Sequence, residues 1–221
     1  LIMKIGCYSY SNNDLIRGIT WHGLEFYCKR HGYEFNGFTE NIEKEYKPHW
    51  NKINYAIQLL REQQLDYFVW FDHDIVIKNF DIKLDDIIKK YNFDQSEAIF
   101  MVSEEVDNSI DPEPTESSKL PFNTGVIVFK NNPKTLSVFE SLLSRRTCPA
   151  DFQNGFQDTK VFLDHYTDNP KDFLRVPHRV LQSNASHNHL NCYEEGDFCG
   201  HVSGDQGVAL LIGLNDLIDR S

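Results

Sequence analysis

The chain has 221 residues, enough for one domain with a sizeable core, and its 40% hydrophobic content argues against disorder. No apolar run approaches the length that crosses a bilayer. A formal net charge of −11, from 22 basic and 33 acidic side chains, creates a field that repels phosphate backbones and argues against a nucleic-acid partner. A small polyanion can still bind such a chain where a divalent cation offsets the field.

Lys4 to Tyr8 reads as a strand, Thr20 to Arg30 as a helix closed by Gly32, and Tyr33 to Phe38 as a second strand. After Pro48, the apolar positions Trp50, Ile53, Ile57 and Leu60 recur at three and four residues and mark one buried helical stripe. Tyr67 to Phe71 ("YFVWF") reads as a strand buried on both faces; Ala98 to Val102 and Val126 to Phe129 add two more. Between those two lies the polar stretch "SEEVDNSIDPEPTESSKLP", with three of the eight prolines, which reads as an exposed loop. The alternation of strands and helices predicts an α/β layer with a mostly parallel sheet, whose ligands sit beyond the carboxyl ends of the strands. There is no internal repeat, and residues 1–221 read as a single domain, with a first half near 3–105 and a second near 106–221.

The N-terminal residues carry no signal-peptide pattern, and Met3 reads as the natural start. The five cysteines, Cys7, Cys28, Cys148, Cys192 and Cys199, are odd in number and dispersed, which favours a reducing compartment over a disulfide framework. The expected location is therefore cytoplasmic. The sequon Asn184-Ala185-Ser186 would matter only on a secretory route.

The buried run "VWFDHDIVI" stops on Asp72 and Asp74. Two carboxylates this close repel each other unless something compensates them. One reading is a strand end where Asp residues begin a turn. The other is a cation site: alternate residues of an extended segment share a face, so both carboxylates can meet one Mg²⁺ or Mn²⁺.

The motif resembles the Asp-x-Asp signature of the GT-A fold glycosyltransferases, nucleotide-diphospho-sugar transferases that hold Mn²⁺ or Mg²⁺ against the diphosphate of a nucleotide sugar. Three further segments resemble that family in its own order. "PFNTGVIVFKNNPKTLSVFESL" is similar to its Asn-Thr-Gly turn, strand and helix, "GFQDTKVFLDHY" to the acidic segment of its galactosyl- and xylosyltransferase group, and "DFCGHVSGDQG" to its late His-x-x-Gly element. The resemblance spans about residues 4 to 207 and implies a GT-A fold: a mostly parallel central sheet flanked by helices. It also implies a metal-dependent transfer of a hexose or deoxyhexose from a UDP-sugar to a hydroxyl of a glycan or other acceptor. His73 between the aspartates, and the want of an anchor and stem, depart from Golgi-resident members and suit an anchorless microbial or large-DNA-virus enzyme.

Carried over position by position, the resemblance makes Asp74 a metal ligand, Asp72 a ligand of the metal or the ribose, and His201 the third ligand. The backbone of Ser203 and Gly204 then meets the diphosphate, where a glycine permits close approach. Cys7, Tyr8 and Ser9 close the first strand, where the fold meets base and ribose, though Tyr8 also reads as plain core. Lys52 can reach a phosphate or the base, or be an ordinary solvated lysine. Asn123, Thr124 and Gly125 would face the sugar. Asp158, beside Gln157, is the catalytic candidate: a general base if the anomeric centre inverts, an electrostatic stabiliser if it is retained, or merely a helix N-cap.

Other classes compete. His187, His189, Cys192, Cys199 and His201 could hold structural zinc, although the spacing lacks the paired pattern of such sites. A sugar- or nucleotide-binding module without catalysis would keep the same fold. A nucleotidyltransferase is a third reading, against which "CYSYSNNDLIRG" lacks a Gly-rich basic phosphate loop.

Overall fold

A computed structural model describes residues 2–105, 120–146, 157–185, 193–203 and 207–219. Most of the expected polar loop, 106–119, lies outside them, as do Cys148, His187, His189, Cys192 and Gly204 and the side chain of Gln157.

The chain opens with β1 (Ile5–Tyr10), α1 (Asp14–His31) and β2 (Glu34–Phe38), followed by α2 (Asn51–Glu62) and β3 (Tyr67–Phe71). The first helix starts six residues earlier than its apolar pattern suggests, at Asp14 rather than Thr20. Asn13 sets that start, its side-chain oxygen accepting from the N–H groups of Leu15 (3.0 Å) and Ile16 (3.2 Å). Gly32, at φ 73°, closes the helix in the left-handed conformation expected of a C-terminal glycine.

Beyond β3 come β4 (Ile75–Ile77), α3 (Leu84–Lys90), β5 (Phe100–Ser103), β6 (Val126–Lys130) and α4 (Pro133–Ser144). The remainder holds α5 (Gln157–Asp168), β7 (Phe173–Val176), β8 (Ser183–Asn184), β9 (Cys199–His201) and α6 (Gly207–Asp219).

Six strands form one sheet in the order β2-β1-β3-β6-β5-β7, in which β6 alone runs against the others. Period-two alternation divides its side chains between two cores. Cys7, Val69, Phe71, Val126 and Val128 pack towards α1 and α3, whereas Tyr8, Phe68, Trp70, Ile127 and Phe129 pack towards α2, α4 and α5. Strands buried on both faces explain why "YFVWF" and "VIVF" read as continuous apolar runs.

A second sheet, β4-β9-β8, stands at the end of the first. The last helix covers it: Leu210, Leu214 and Leu217 pack with Ile16, Val76, Ala185 and Val202. Lys78 fastens this helix by donating to the Leu217 carbonyl oxygen at 2.6 Å, a cation on the negative end of the helix. No helix among the described residues is long and apolar enough to cross a membrane.

Candidate active site

The junction of the two sheets builds the site. The β3–β6 ladder ends at Phe71 opposite Val126, and the next residue, Asp72, still donates its N–H to the Gly125 carbonyl oxygen at 2.8 Å. Asp72-His73-Asp74 is a turn rather than the extended segment the alternation suggests, with the Ile75 N–H donating to the Asp72 carbonyl oxygen at 3.2 Å. The physical reason is that β4 belongs to the other sheet, so the chain must change direction between the two aspartates.

That change of direction brings in the histidine. β4 and β9 pair antiparallel in the register Ile75 opposite His201, and the Val202 N–H donates to the Asp74 carbonyl oxygen at 3.2 Å. The His201 Nε2 therefore lies 3.2 Å from Asp74 Oδ1 and 3.8 Å from Asp72 Oδ2. One ligand atom from each of Asp72, Asp74 and His201 falls within 4.8 Å of the others. Two carboxylate oxygens and one imidazole nitrogen, converging at a strand end, are a donor set that fits Mn²⁺ or Mg²⁺.

The two oxygens of Asp72 have different partners. Its Oδ1 accepts from the Trp70 indole N–H at 2.5 Å and lies 3.2 Å from Lys52 Nζ, so Oδ2 is the one turned towards His201. Lys52, 3% exposed, also meets Asp158 Oδ2 at 2.9 Å and donates to the Thr124 carbonyl oxygen at 3.0 Å. Trp70 lies beneath the ammonium, with its ring centroid 5.5 Å away.

These contacts set the protonation states. Burial opposes charge on Lys52, but Asp158 and Asp72 outweigh it and raise its pKa. Burial would likewise raise Asp158, yet Lys52 holds its carboxyl below the ordinary carboxylate value. For His201, burial disfavours the cation while Asp74 and then Asp72 favour it, and the net shift is upward. The Asp74 carboxyl is correspondingly lowered against burial, chiefly by His201. With His201 neutral, three carboxylates face one lysine, which leaves a divalent cation's worth of negative charge.

The structure brings Asp72, Asp74, His201, Lys52, Asp158, Thr124 and Gly125 together. The Thr124 hydroxyl lies 2.9 Å from that of Thr159, tying the turn before β6 to α5. The Asn123 amide is committed to the scaffold: its Oδ1 accepts from the Gly125 N–H and from Gln182 Nε2, both at 2.7 Å, and its Nδ2 donates to Glu105 at 2.9 Å. Ser203 lies two residues beyond the end of β9 and is half-buried. Cys7 and Tyr8 have no exposed surface, and Ser9 is 1% exposed. Tyr8 packs edge-on against Trp70 and donates its hydroxyl to the Lys52 carbonyl oxygen at 3.1 Å, which places it beneath the site as support.

Of the His/Cys candidates for zinc, only Cys199 and His201 lie among the described residues, and these two do not converge on one site. The buried Cys199 thiol donates to the Leu181 carbonyl oxygen at 3.0 Å, burial pushes its pKa up, and His201 turns to the aspartates. Sequence reasoning missed Trp70, Thr159 and Gln182. Trp70 alone had a usable signal, because it stands two residues before Asp72 on the strand and so shares its face.

Comparison with known proteins agrees with this geometry. The galactosyl transferase GMA12/MNN10 family matches residues 20–207. No curated protein matches the sequence. A glycosyltransferase involved in glycosylation of the major capsid of the virus PBCV-1 superposes with a TM-score of 0.71 at 16% identity, over 98% of this chain and 99% of that one. Mouse xyloside xylosyltransferase 1 gives 0.52 at 9% identity, over 91% and 98%. A Drosophila β1,4-galactosyltransferase 7 mutant, in complex with manganese, UDP-Gal and xylobiose, gives 0.50 at 10%, over 92% and 72%. At such identities the likenesses speak for the fold, which is the GT-A fold of these enzymes; the match over residues 20–207 goes further, and the chain belongs to the galactosyl transferase GMA12/MNN10 family of glycosyltransferases.

Proposed function

We propose that this protein is a Mn²⁺- or Mg²⁺-dependent glycosyltransferase that moves a hexose or deoxyhexose from a UDP-sugar to a hydroxyl of a glycan or other small acceptor. The observation that carries the reading is the convergence of Asp72, Asp74 and His201 where the two sheets meet. The manganese and UDP-Gal bound by the Drosophila relative support the choice of metal and donor.

In this reading Asp72, Asp74 and His201 would hold a divalent cation, which when bound would supply the positive charge that neutralises a diphosphate leaving group. The chain's own residues prepare that place. Trp70 and Lys52 hold one Asp72 oxygen, which aims the other at the ligand cluster. His201 gives up its proton so that Nε2 can act as a donor atom. Beyond β9, Ser203 would face the diphosphate, with Gly204, outside the described residues, next to it in sequence.

Asp158 acts beside the donor carbon, with Gln157 next to it and the Asn123-Thr124-Gly125 turn shaping the sugar subsite. Its salt link to Lys52 makes it a weak proton acceptor, which favours the electrostatic role over that of general base. Cys7, Tyr8 and Ser9 lie within β1 and are buried, so their part in nucleotide binding would be support from beneath the pocket, with Tyr8 on the face of the site.

The test is calorimetric titration with UDP and with GDP, each in Mn²⁺ and in excess chelator. The reading expects micromolar UDP binding that chelator removes. Failure of both nucleotides to bind in any condition would overturn it.

A further inference from the structure

Gln182 has no role in the scheme above, yet it is one of the most constrained polar residues near the ligand cluster. Its side chain is buried, the residue being 3% exposed, and its Oε1 has no hydrogen-bond partner among the described residues. A buried carbonyl oxygen without a donor is costly, on the order of 1–3 kcal/mol, so its persistence needs a reason.

The orientation of the amide is fixed by its neighbours. Asn123 Oδ1 accepts the Gly125 backbone N–H, and Asn123 Nδ2 faces the Glu105 carboxylate, so Asn123 cannot be turned over. Asn123 can therefore only accept from Gln182, which must offer Nε2 and point Oε1 the other way. On that side lies the space over Gly125, which His201 also borders, although the two side chains make no hydrogen bond as placed. A Cβ built on Gly125 would lie 2.4 Å from His201 Nδ1 and 2.5 Å from Gln182 Oε1, so the two atoms border the same small space. The opposite ring nitrogen, Nε2, is the one that faces Asp74 and Asp72.

We infer that Gln182 is a positioning residue for the metal ligand His201: when Nε2 ligates, a small turn of either side chain lets the unpartnered Oε1 accept the Nδ1 proton and fixes the tautomer whose Nε2 lone pair points into the ligand cluster. A histidine that ligates through one ring nitrogen commonly donates the other N–H to an oxygen, and loss of that oxygen costs about 10–100-fold in metal affinity. The inference rests on the reading of Asp72, Asp74 and His201 as a metal site. Glu105, Asn123, Gln182 and His201 then form one chain of contacts, in which Gly125 leaves the space the last two need.

The experiment is a titration of the protein with Mn²⁺ alone, followed by electron paramagnetic resonance, for the parent, Gln182→Leu and Gln182→Glu. The expected result is an affinity about 10–100-fold weaker in Gln182→Leu, and intermediate between that and the parent's in Gln182→Glu, which keeps an oxygen for Nδ1 but gives up the donor that Asn123 Oδ1 accepts. Parental affinity in a folded Gln182→Leu overturns this inference alone; a parent that does not bind Mn²⁺ overturns the metal site and this inference with it. Should the variants fail to fold, ¹H–¹⁵N spectra of histidine-labelled parent protein with Mg²⁺ decide: the His201 Nδ1 proton must be hydrogen-bonded and slow to exchange with water, and an Nδ1 proton in fast exchange refutes the assignment.

Discussion

Lys52 Nζ and Asp158 Oδ2 lie 2.9 Å apart with both side chains almost wholly out of water. The pair links α2 to α5 across the turn before β6, and its charge state governs what Asp158 can do chemically. Burying two charges is offset only by good geometry and further hydrogen bonds, which the Thr124 carbonyl oxygen and Asp72 supply here.

Removing one partner should therefore cost more than removing both. Lys52→Met is expected to destabilise the protein by about 3–5 kcal/mol, because Asp158 is left buried and unpaired. Adding Asp158→Asn to Lys52→Met should recover part of that loss. Urea unfolding of the two single variants and the double variant measures the coupling; additive losses would show that the two charges do not depend on each other.

The aspartates at the two ends of the site separate binding from turnover. Asp74→Ala should keep the fold and abolish metal-dependent UDP binding, since it removes one of the three ligands. Asp158→Asn should leave UDP binding nearly unchanged and lower turnover by about 10²-fold, as expected for loss of one electrostatic contact to the transition state. Calorimetry and initial rates on the same preparations check both. Equal Mn²⁺-dependent UDP binding by Asp74→Ala and the parent would put the ligands elsewhere.

The Asp74–His201 contact makes the metal-free protein and the metal complex respond oppositely to pH. Against the burial that raises it, the Asp74 carboxyl is lowered from its ordinary 3.8, so its contribution to stability is present above that value and lost as pH falls through the folded value. Against the burial that lowers it, His201 is raised from its ordinary 6.5, so its contribution is full below 6.5 and lost as pH rises through the folded value. In chelator, the melting temperature should fall as pH is taken from about 6 to about 9. Mn²⁺ affinity should rise over the same interval, because the cation displaces the His201 proton. Parallel melting curves and Mn²⁺ titrations test the opposition, and a Mn²⁺ affinity that does not change with pH would show that His201 is not a ligand.

Much of this site was legible from residue types and order. "VWFDHDIVI", the Asn-Thr-Gly turn, Asp158 and the late histidine point to the same place from four parts of the chain. The way they meet was not legible. A run of alternating residues does not announce that Ile75–Ile77 pairs with Cys199–His201 in a separate sheet, so the turn and the shared extended face read as alternatives for the aspartates, whereas the turn itself is what brings both to the cluster. Lys52 read as a lysine with equal claims to solvent and ligand, because helical spacing alone does not reveal that its end of α2 faces two carboxylates. Gln182 has no motif around it, and only its unpartnered oxygen beside His201 marks it.

Gly125 offers the most economical disturbance of the ligand cluster. A Cβ there would come 2.3 Å from His201 Cε1 and 2.5 Å from Gln182 Oε1, closer than real atoms allow. The ring cannot simply retreat, since β9 is held in register against β4 and Val202 is bound to the Asp74 carbonyl oxygen. Gly125→Ala is therefore expected to cost about 1–3 kcal/mol of stability through overpacking. It should also weaken Mn²⁺ binding more than it weakens the fold, because the imidazole is pushed off its line to the aspartates. A matched urea unfolding and Mn²⁺ titration of Gly125→Ala and Gly23→Ala, the latter on α1 with only the Phe80 ring edge 3.8 Å from its added carbon, separates the two effects. If Gly125→Ala binds Mn²⁺ like the parent, the imidazole has room to move and the tight packing over Gly125 does not aim it.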